Sequence, residues 1–430
     1  MKELRRLAHM LKELEERLIV CMRCGFCQAH CPLYGQTGLE MDVARGKLAL
    51  LDGLAKEMVK DPQGVKKRLE RCLLCGSCAA GCPSGVETQE IFLKGRAILS
   101  TYLGLPPLKK LIFRLVLAHP FVFNLLLSWA RPAQAIMARP VSELLQTSCG
   151  RIAWPLGRRH FKRLAPLPFH RQIPPARQRS GASGPRAALF IGCLIDQIFP
   201  QVGLAVLKVM DHHGVTLVIP SGQACCGMPA LSGGDSRTFH HLLAHNLKLF
   251  DPDDFDYLIT ACATCTATIK KNWPLMAKEL SPKQQERVSR LAAKTRDISQ
   301  FLAEAGLLEQ TPPPQAADAL AVTYHDPCHL KKSLGVSAQP RQALAQSPGY
   351  HLVEMPEADW CCGLGGSFNL EHYDLSKEIG QRKLANIERT ACRVVATSCP
   401  ACMLQITDAL SQAGKDIQVR HVIELYAQGL

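Results

Sequence analysis

The chain has 430 residues, of which 47% are apolar and twenty are cysteine, and its formal net charge is +14. That length supports about three domains of ordinary size, and the apolar share is ample for buried cores. Twenty cysteines behind a charged start without a secretory stretch exclude a disulfide scaffold, and they point to the cytoplasm and to metal ligation.

The opening segment MKELRRLAHMLKELEERL places Leu4, Leu7, Leu11, Leu14 and Leu18 on one helical face, suited to packing on a core or a partner helix. Two matching runs follow: Cys21-x2-Cys24-x2-Cys27-x3-Cys31-Pro32 and Cys72-x2-Cys75-x2-Cys78-x3-Cys82-Pro83. Three thiolates at i, i+3 and i+6 can come from one loop around a [4Fe-4S] cube. The last cysteine of such a run ligates the other cluster of a two-cluster unit. This assigns Cys21, Cys24, Cys27 and Cys82 to one cube, and Cys72, Cys75, Cys78 and Cys31 to the second. Between the runs, helical stretches at Val43 to Leu54 and Val65 to Arg71 flank an Asp61-Pro62-Gln63-Gly64 break. The pattern predicts a helical two-cluster ferredoxin domain over 1–100. His30 reads as an exposed neighbour of the site rather than a ligand.

Residues 101–185 hold an apolar segment and a basic, proline-rich linker. The segment Leu108–Ala130 is interrupted by Arg114, His119-Pro120 and Asn124, which favours two short helices over a membrane span. Residues 151–186 carry nine Lys/Arg and no acid. Together they are expected to pack on a partner or to touch the inner face of a membrane peripherally, through residues 108–186. Nothing beyond charge supports nucleic-acid binding, which is not expected.

The remainder is a duplication. Cys193…Cys225-Cys226-Gly227…Cys262-x2-Cys265 is repeated as Cys328…Cys361-Cys362-Gly363…Cys399-x2-Cys402, at offsets of 135, 136 and 137 residues for the first, second and fourth cysteines. The modules span 186–310 and 318–430. Apolar strands at Ala187–Ile191, Leu217–Pro220, Tyr257–Thr260, Ala321–Tyr324, His351–Met355 and Arg393–Thr397 alternate with helical stretches. This predicts a mainly parallel sheet in each module, with the cysteines at strand ends. The overall class is therefore α plus α/β. Five thiols per module exceed the needs of a cube or a zinc ion. The excess suggests one or two further iron–sulfur clusters, either non-cubane [4Fe-4S] with bridging thiolates or four-ligand with a thiol left for redox chemistry. Structural zinc or a CxxC disulfide are the plainer readings. Cys149 and Cys392 belong to neither pattern and read as buried small apolar residues. His325 and His329 read as hydrogen-bond donors to a cluster thiolate.

Cys24-Gly-Phe-Cys27, Cys82-Pro-Ser-Gly-Val86, Tyr324-His-Asp-Pro-Cys-His329, Asp359-Trp-Cys-Cys-Gly363 and Arg382-Lys-Leu-Ala-Asn386 resemble the iron–sulfur subunits of glycolate oxidase and FAD-dependent D-lactate dehydrogenases. The CCG modules are also similar to those of heterodisulfide reductases, a lactate-utilisation subunit and an anaerobic glycerol-3-phosphate dehydrogenase subunit. Gly363-Leu-Gly-Gly-Ser-Phe368 is closer to the lactate and heterodisulfide relatives, which leaves glycolate and D-lactate both open. The resemblance implies that a separate FAD subunit oxidises a 2-hydroxy acid. Electrons would then pass through this chain to quinone or another carrier. An alternative makes the CCG clusters reduce a disulfide or quinone directly, and a third treats these modules as a zinc-bound docking platform.

Overall fold

The computed structural model describes residues 2–151, 159–174, 177–178, 184–309 and 313–430. Parts of the basic linker, at 152–158, 175–176 and 179–183, therefore lie outside the described residues. The chain forms two compact units. The first comprises Met1–Ala118, Gly227–His241 and Gly363–Gly380. The second comprises His119–Cys226, Leu242–Cys362 and Gln381–Leu430.

In the first unit, α1 (Lys2–Leu11) packs on α2 (Ala44–Ala55) and on the later helix Thr88–Leu103. The leucine stripe explains this, since Leu7, Leu11, Leu14 and Leu18 are all buried. Helix α3 (Pro62–Glu70) starts where Asp61 accepts the Gly64 amide at 2.9 Å and Pro62 pre-sets the first turn. Helix α4 (Thr88–Leu103) is buried along most of its length. The segments Gly227–His241 and Gly363–Gly380, each directly behind a Cys-Cys pair, complete this unit.

Among the described residues the second unit contains three sheets. Strands β1 (Ala138–Ser142), β2 (Thr147–Gly150) and β3 (His160–Lys162) form an antiparallel ribbon that the sequence pattern did not announce. β4 (Arg177–Gln178), β5 (Arg186–Leu189), β6 (Thr216–Ile219), β7 (Tyr257–Thr260) and β8 (Thr295–Asp297) make a sheet ordered β4-β6-β5-β7-β8. The third, ordered β10-β9-β11-β12, joins β9 (Leu320–His325), β10 (Tyr350–Val353), β11 (Val394–Thr397) and β12 (Gln418–His421). Apart from the short antiparallel β4, both of these sheets are parallel, and β6-β5-β7-β8 has the same order as β10-β9-β11-β12. The duplication seen in the cysteine spacing is thus a duplication of topology. Pairs of functional loops leave the carboxyl ends of equivalent strands.

The apolar segment after α4 folds as two helical stretches, Pro107–Leu117 and Pro120–Met137, separated at His119-Pro120. Proline is disfavoured inside a helix, although Pro132 is tolerated within the second stretch, and it suits the first turn of a new one. Among the described residues no single helix is long and apolar enough to cross a membrane.

Asp297 ends β8 and caps the next helix, its Oδ1 accepting from the Ser299 amide at 3.0 Å and from the Ser299 hydroxyl. Oδ2 is buried with no partner among the described residues, and burial pushes this carboxyl up to about 7. Its folded value therefore exceeds the ordinary 3.8. The folded state binds the extra proton between these values, so stability falls as pH rises from about 4 through about 7. Asp297→Asn keeps the cap and removes the charge. The variant is expected to gain on the order of 2–3 kcal/mol over the wild type at pH 8, and less at pH 6. Thermal unfolding at the two pH values checks this; an equal gain at both would count against it.

Candidate metal centres

None of the twenty cysteines is joined in a disulfide. In the first unit one cavity is lined by Cys21, Cys24, Cys27 and Cys82 together with Cys78, Pro83 and Arg45. Another is lined by Cys31, Cys72, Cys75 and Cys78 together with Lys47 and Gln89. Each last cysteine of a run thus faces the cavity of the other run. Cys31 also caps the helix Pro32–Thr37, its sulfur accepting the Tyr34 amide at 3.4 Å. Burial still pushes the Cys31 thiol up to about 12, with Cys75 and Cys72 adding repulsion.

Two buried cations serve the second cavity. Lys47 donates to the Asp42 carbonyl. Burial lowers its pKa, while the neighbouring Cys72 and Cys31 pull it back up. Arg96, 2% exposed, donates to the carbonyls of Leu69 (2.5 Å), Cys72 (2.6 Å) and Ser232 (2.7 Å). Neither residue stands out in the sequence, because a single basic residue in a helix ordinarily reads as solvated. The Cys72 loop also meets the segment behind Cys362. Gly365 has φ +56°, and a Cβ there would sit 3.0 Å from the Leu73 Cα, so only glycine allows this approach.

In the second unit contacts join eight thiols of the two modules into one string. Cys193 and Cys225 sulfurs are 3.9 Å apart. Contacts then link Cys225 to Cys226, Cys226 to Cys265, and Cys265 to Cys262. Cys262 meets Cys399, which meets Cys402, which meets Cys362. The modules join where the loops after β7 and β11 touch, the Ala263 amide donating to the Ser398 carbonyl at 3.1 Å. Cys361 and Cys362 are buried and Cys328 is half-buried. Thus the structure connects the two CxxC pairs, which the sequence left as two separate clusters of five.

Backbone contacts fix the paired cysteines. Asn246 accepts from the Ala224 amide and donates to the Cys225 carbonyl, and the Trp273 indole donates to the Cys226 carbonyl at 3.0 Å. On the other module Lys383 donates to the Glu357 and Ala358 carbonyls at 2.7 and 3.0 Å. Burial lowers it to about 8 against the pull of Cys362. His329 contacts the Thr264 hydroxyl at 3.1 Å, and that hydroxyl lies 3.6 Å from the Cys399 sulfur. Gly192 has φ +72°, and a Cβ there would sit 3.0 Å from the Cys265 sulfur.

The donor set fits iron–sulfur clusters. Neighbouring sulfurs and burial push the Cys225, Cys265 and Cys402 thiols up. Contacts with Cys262, Cys402 and Thr264 pull Cys399 down. Buried thiols packed this closely release their protons when a metal cluster supplies the compensating positive charge.

A helical cysteine domain joined to a duplicated α/β cysteine module defines an iron–sulfur electron-transfer protein. Residues 17–86 match the 4Fe-4S dicluster domain, and residues 187–270 and 322–407 match the cysteine-rich CCG domain. The chain is 30% identical, over 98% of its length and 96% of the relative, to a "Probable glycolate oxidase iron-sulfur subunit" of Bacillus subtilis. It is 28% identical to a subunit of the CoM/CoB fumarate reductase of Methanothermobacter marburgensis, covering 95% of this chain and 72% of that one. "Lactate utilization protein A" of an Exiguobacterium species is 30% identical over 57% of this chain and 98% of its own length. The chain belongs to the family of glycolate oxidase iron–sulfur subunits.

Proposed function

We propose that the chain is the electron-transfer subunit of a 2-hydroxy-acid dehydrogenase, receiving electrons from a separate FAD subunit that oxidises glycolate or D-lactate. Electrons would leave to quinone or another carrier. The observation that carries this reading is the approach of the Cys72–Cys75 loop to Gly365, three residues behind Cys362. The segment that follows a CCG cysteine pair in the chain thus packs within the dicluster unit.

The crossing sets Cys21, Cys24, Cys27, Cys82 and Cys72, Cys75, Cys78, Cys31 would each hold one cube. Cys193, Cys225, Cys226, Cys262 and Cys265, with Cys328, Cys361, Cys362, Cys399 and Cys402, would hold the CCG clusters. Bound there, iron–sulfur clusters take up and release single electrons. The residues around them do the rest. Lys47 and Lys383 offset the negative charge of the thiolates, burial excludes water, and Thr264 stabilises the Cys399 thiolate.

The native complex, purified anaerobically, should lose its broad visible absorbance on adding D-lactate or glycolate. Clusters that dithionite reduces but neither acid does would overturn the reading. The unbroken string of thiols across the two modules favours a second reading, direct reduction of a disulfide. Loss of such an activity on substituting Cys361 or Cys362 supports it, and electron transfer that survives both changes removes it.

Leu108, Leu111, Ile112 and Leu115 form an exposed stripe on the Pro107–Leu117 stretch, and Phe121, Leu125 and Trp129 form another on Pro120–Met137. Trp129 is 73% and Leu115 55% exposed. Apolar stripes of this kind, close in sequence to a basic linker, support peripheral contact with an anionic membrane. Leu115→Glu with Trp129→Glu should weaken binding to phosphatidylglycerol vesicles by at least about tenfold, given roughly 25 cal/mol per Å² of apolar surface. Unchanged co-sedimentation would rule the contact out.

A further inference from the structure

Among the buried positions at which the two CCG modules differ, one lies beside the cysteines. At the 135-residue offset of Cys193 and Cys328, Phe190 in the first module corresponds to His325 in the second. Phe190 is buried among rings, 5.8 Å from Phe250 and 6.3 Å from Trp273. His325 ends β9, is 1% exposed, and shares its surroundings with cysteines instead. One of its ring nitrogens and the sulfurs of Cys362 and Cys402 all lie within 4.8 Å of one another.

The tautomer of this ring follows from its neighbours. Nδ1 lies 3.1 Å from the Ala358 carbonyl oxygen, which can only accept, so Nδ1 carries the ring hydrogen and donates it. Nε2 is then a bare lone pair, buried and without a hydrogen-bond partner among the described residues. A nitrogen without hydrogen cannot donate to a thiolate, which closes the role that the sequence pattern alone suggests for His325. A histidine that binds metal typically donates its other ring N–H to a carbonyl or carboxylate, as His325 does to Ala358. His421, also buried, is arranged the opposite way. Its Nδ1 accepts the Ile423 amide at 3.2 Å, so its Nε2 carries the hydrogen and has no lone pair to offer.

We propose that His325 Nε2 is a direct iron ligand in the second CCG module, without counterpart in the first, so that the two modules hold inequivalent clusters. The inference rests on the reading that these modules hold iron–sulfur clusters at all. Imidazole in an iron position that a thiolate fills in the first module leaves less negative charge around the cluster and raises its reduction potential. The second module is accordingly the more readily reduced of the pair.

The test uses the full chain, purified anaerobically, labelled with nitrogen-15 histidine, and reduced so that its clusters are paramagnetic. Pulsed electron paramagnetic resonance should find a histidine nitrogen coupled as strongly as a directly bound ligand. His325→Phe, which copies the first module, should abolish that coupling and lower the potential of one CCG centre. His325→Cys offers another ligand and should retain iron while losing the coupling, which covers the case where the phenylalanine variant fails to accumulate. Should neither variant accumulate, the wild-type spectrum decides alone. A coupling no stronger than that of a hydrogen-bonded histidine overturns the proposal, as does one that survives substitution. Iron and sulfide are counted in the same samples. Iron that two cubes account for would overturn the cluster reading and this proposal together. Full iron without the coupling would remove this proposal alone.

Discussion

Cys82→Ala is expected to remove the iron held by Cys21, Cys24 and Cys27 while sparing the centre in its own run. Cys31→Ala should do the reverse. Each change should lower iron and acid-labile sulfide by about four per chain, one [4Fe-4S] cluster's worth. The expectation comes from the two cavities, since Cys82 lines the one with the Cys21 run and Cys31 the one with the Cys72 run. If each run instead held its own cube, the same single variants would lose the same amount of iron, so iron content alone cannot separate the cases. Double variants can. With Cys82 already replaced, Cys21→Ala should cost nothing further, because its cluster is gone, whereas Cys72→Ala should remove another four or so irons. Residues acting in one unit are non-additive and residues in separate units add. Additive loss in the Cys82, Cys21 pair would sink the crossed arrangement.

The cysteine framework is legible from sequence because metal ligation imposes fixed spacing. The x2, x2, x3 intervals in the N-terminal runs and the near-constant offsets between Cys193 and Cys328 and their successors survive as bare strings. The strands are legible for a related reason, as short apolar runs such as Tyr257–Thr260 and Val394–Thr397 are buried and lead straight into cysteine loops. Other features depend on partners far along the chain. The ribbon β1-β2-β3 is short and half polar, so it offers no alternation long enough to read. That Gly227–His241 and Gly363–Gly380 belong with the N-terminal helices is invisible locally, since the Arg96 to Ser232 contact spans 136 residues. The His325 tautomer is set by Ala358, 33 residues away. Sequence reading thus found the thiols, while their electrostatic surroundings required the fold.

Arg96→Leu should destabilise the first unit by about 3–5 kcal/mol, the usual consequence of stripping a buried charged hydrogen-bonding group from its partners. Among the described residues the guanidinium forms no ion pair with a carboxylate, though Glu70 and Glu371 favour its charge. Its Nε and Nη2 reach the Leu69 carbonyl, Nη2 also reaches those of Glu70 and Cys72, and Nη1 reaches that of Ser232. Leu69 and Glu70 end α3, where unpaired carbonyls carry the negative end of the helix dipole, which adds to the stabilisation of a cation there. Leucine would leave several carbonyls buried and unpaired, and would free both the Cys72 loop and the segment around Ser232. The unfolding temperature of this unit should fall by roughly 6–20 °C, taking about 2–4 °C per kcal/mol for a body of this size. The cluster bound through Cys72 should become more easily lost to chelators. Arg96→Lys should recover only part of the loss, because one ammonium cannot span four carbonyls as the planar fork does. Calorimetry under argon, with chelator-release rates for both variants, provides the check. A leucine variant melting within a degree of wild type, with unchanged iron release, would show that Arg96 fills space and does not fasten the Cys72 loop.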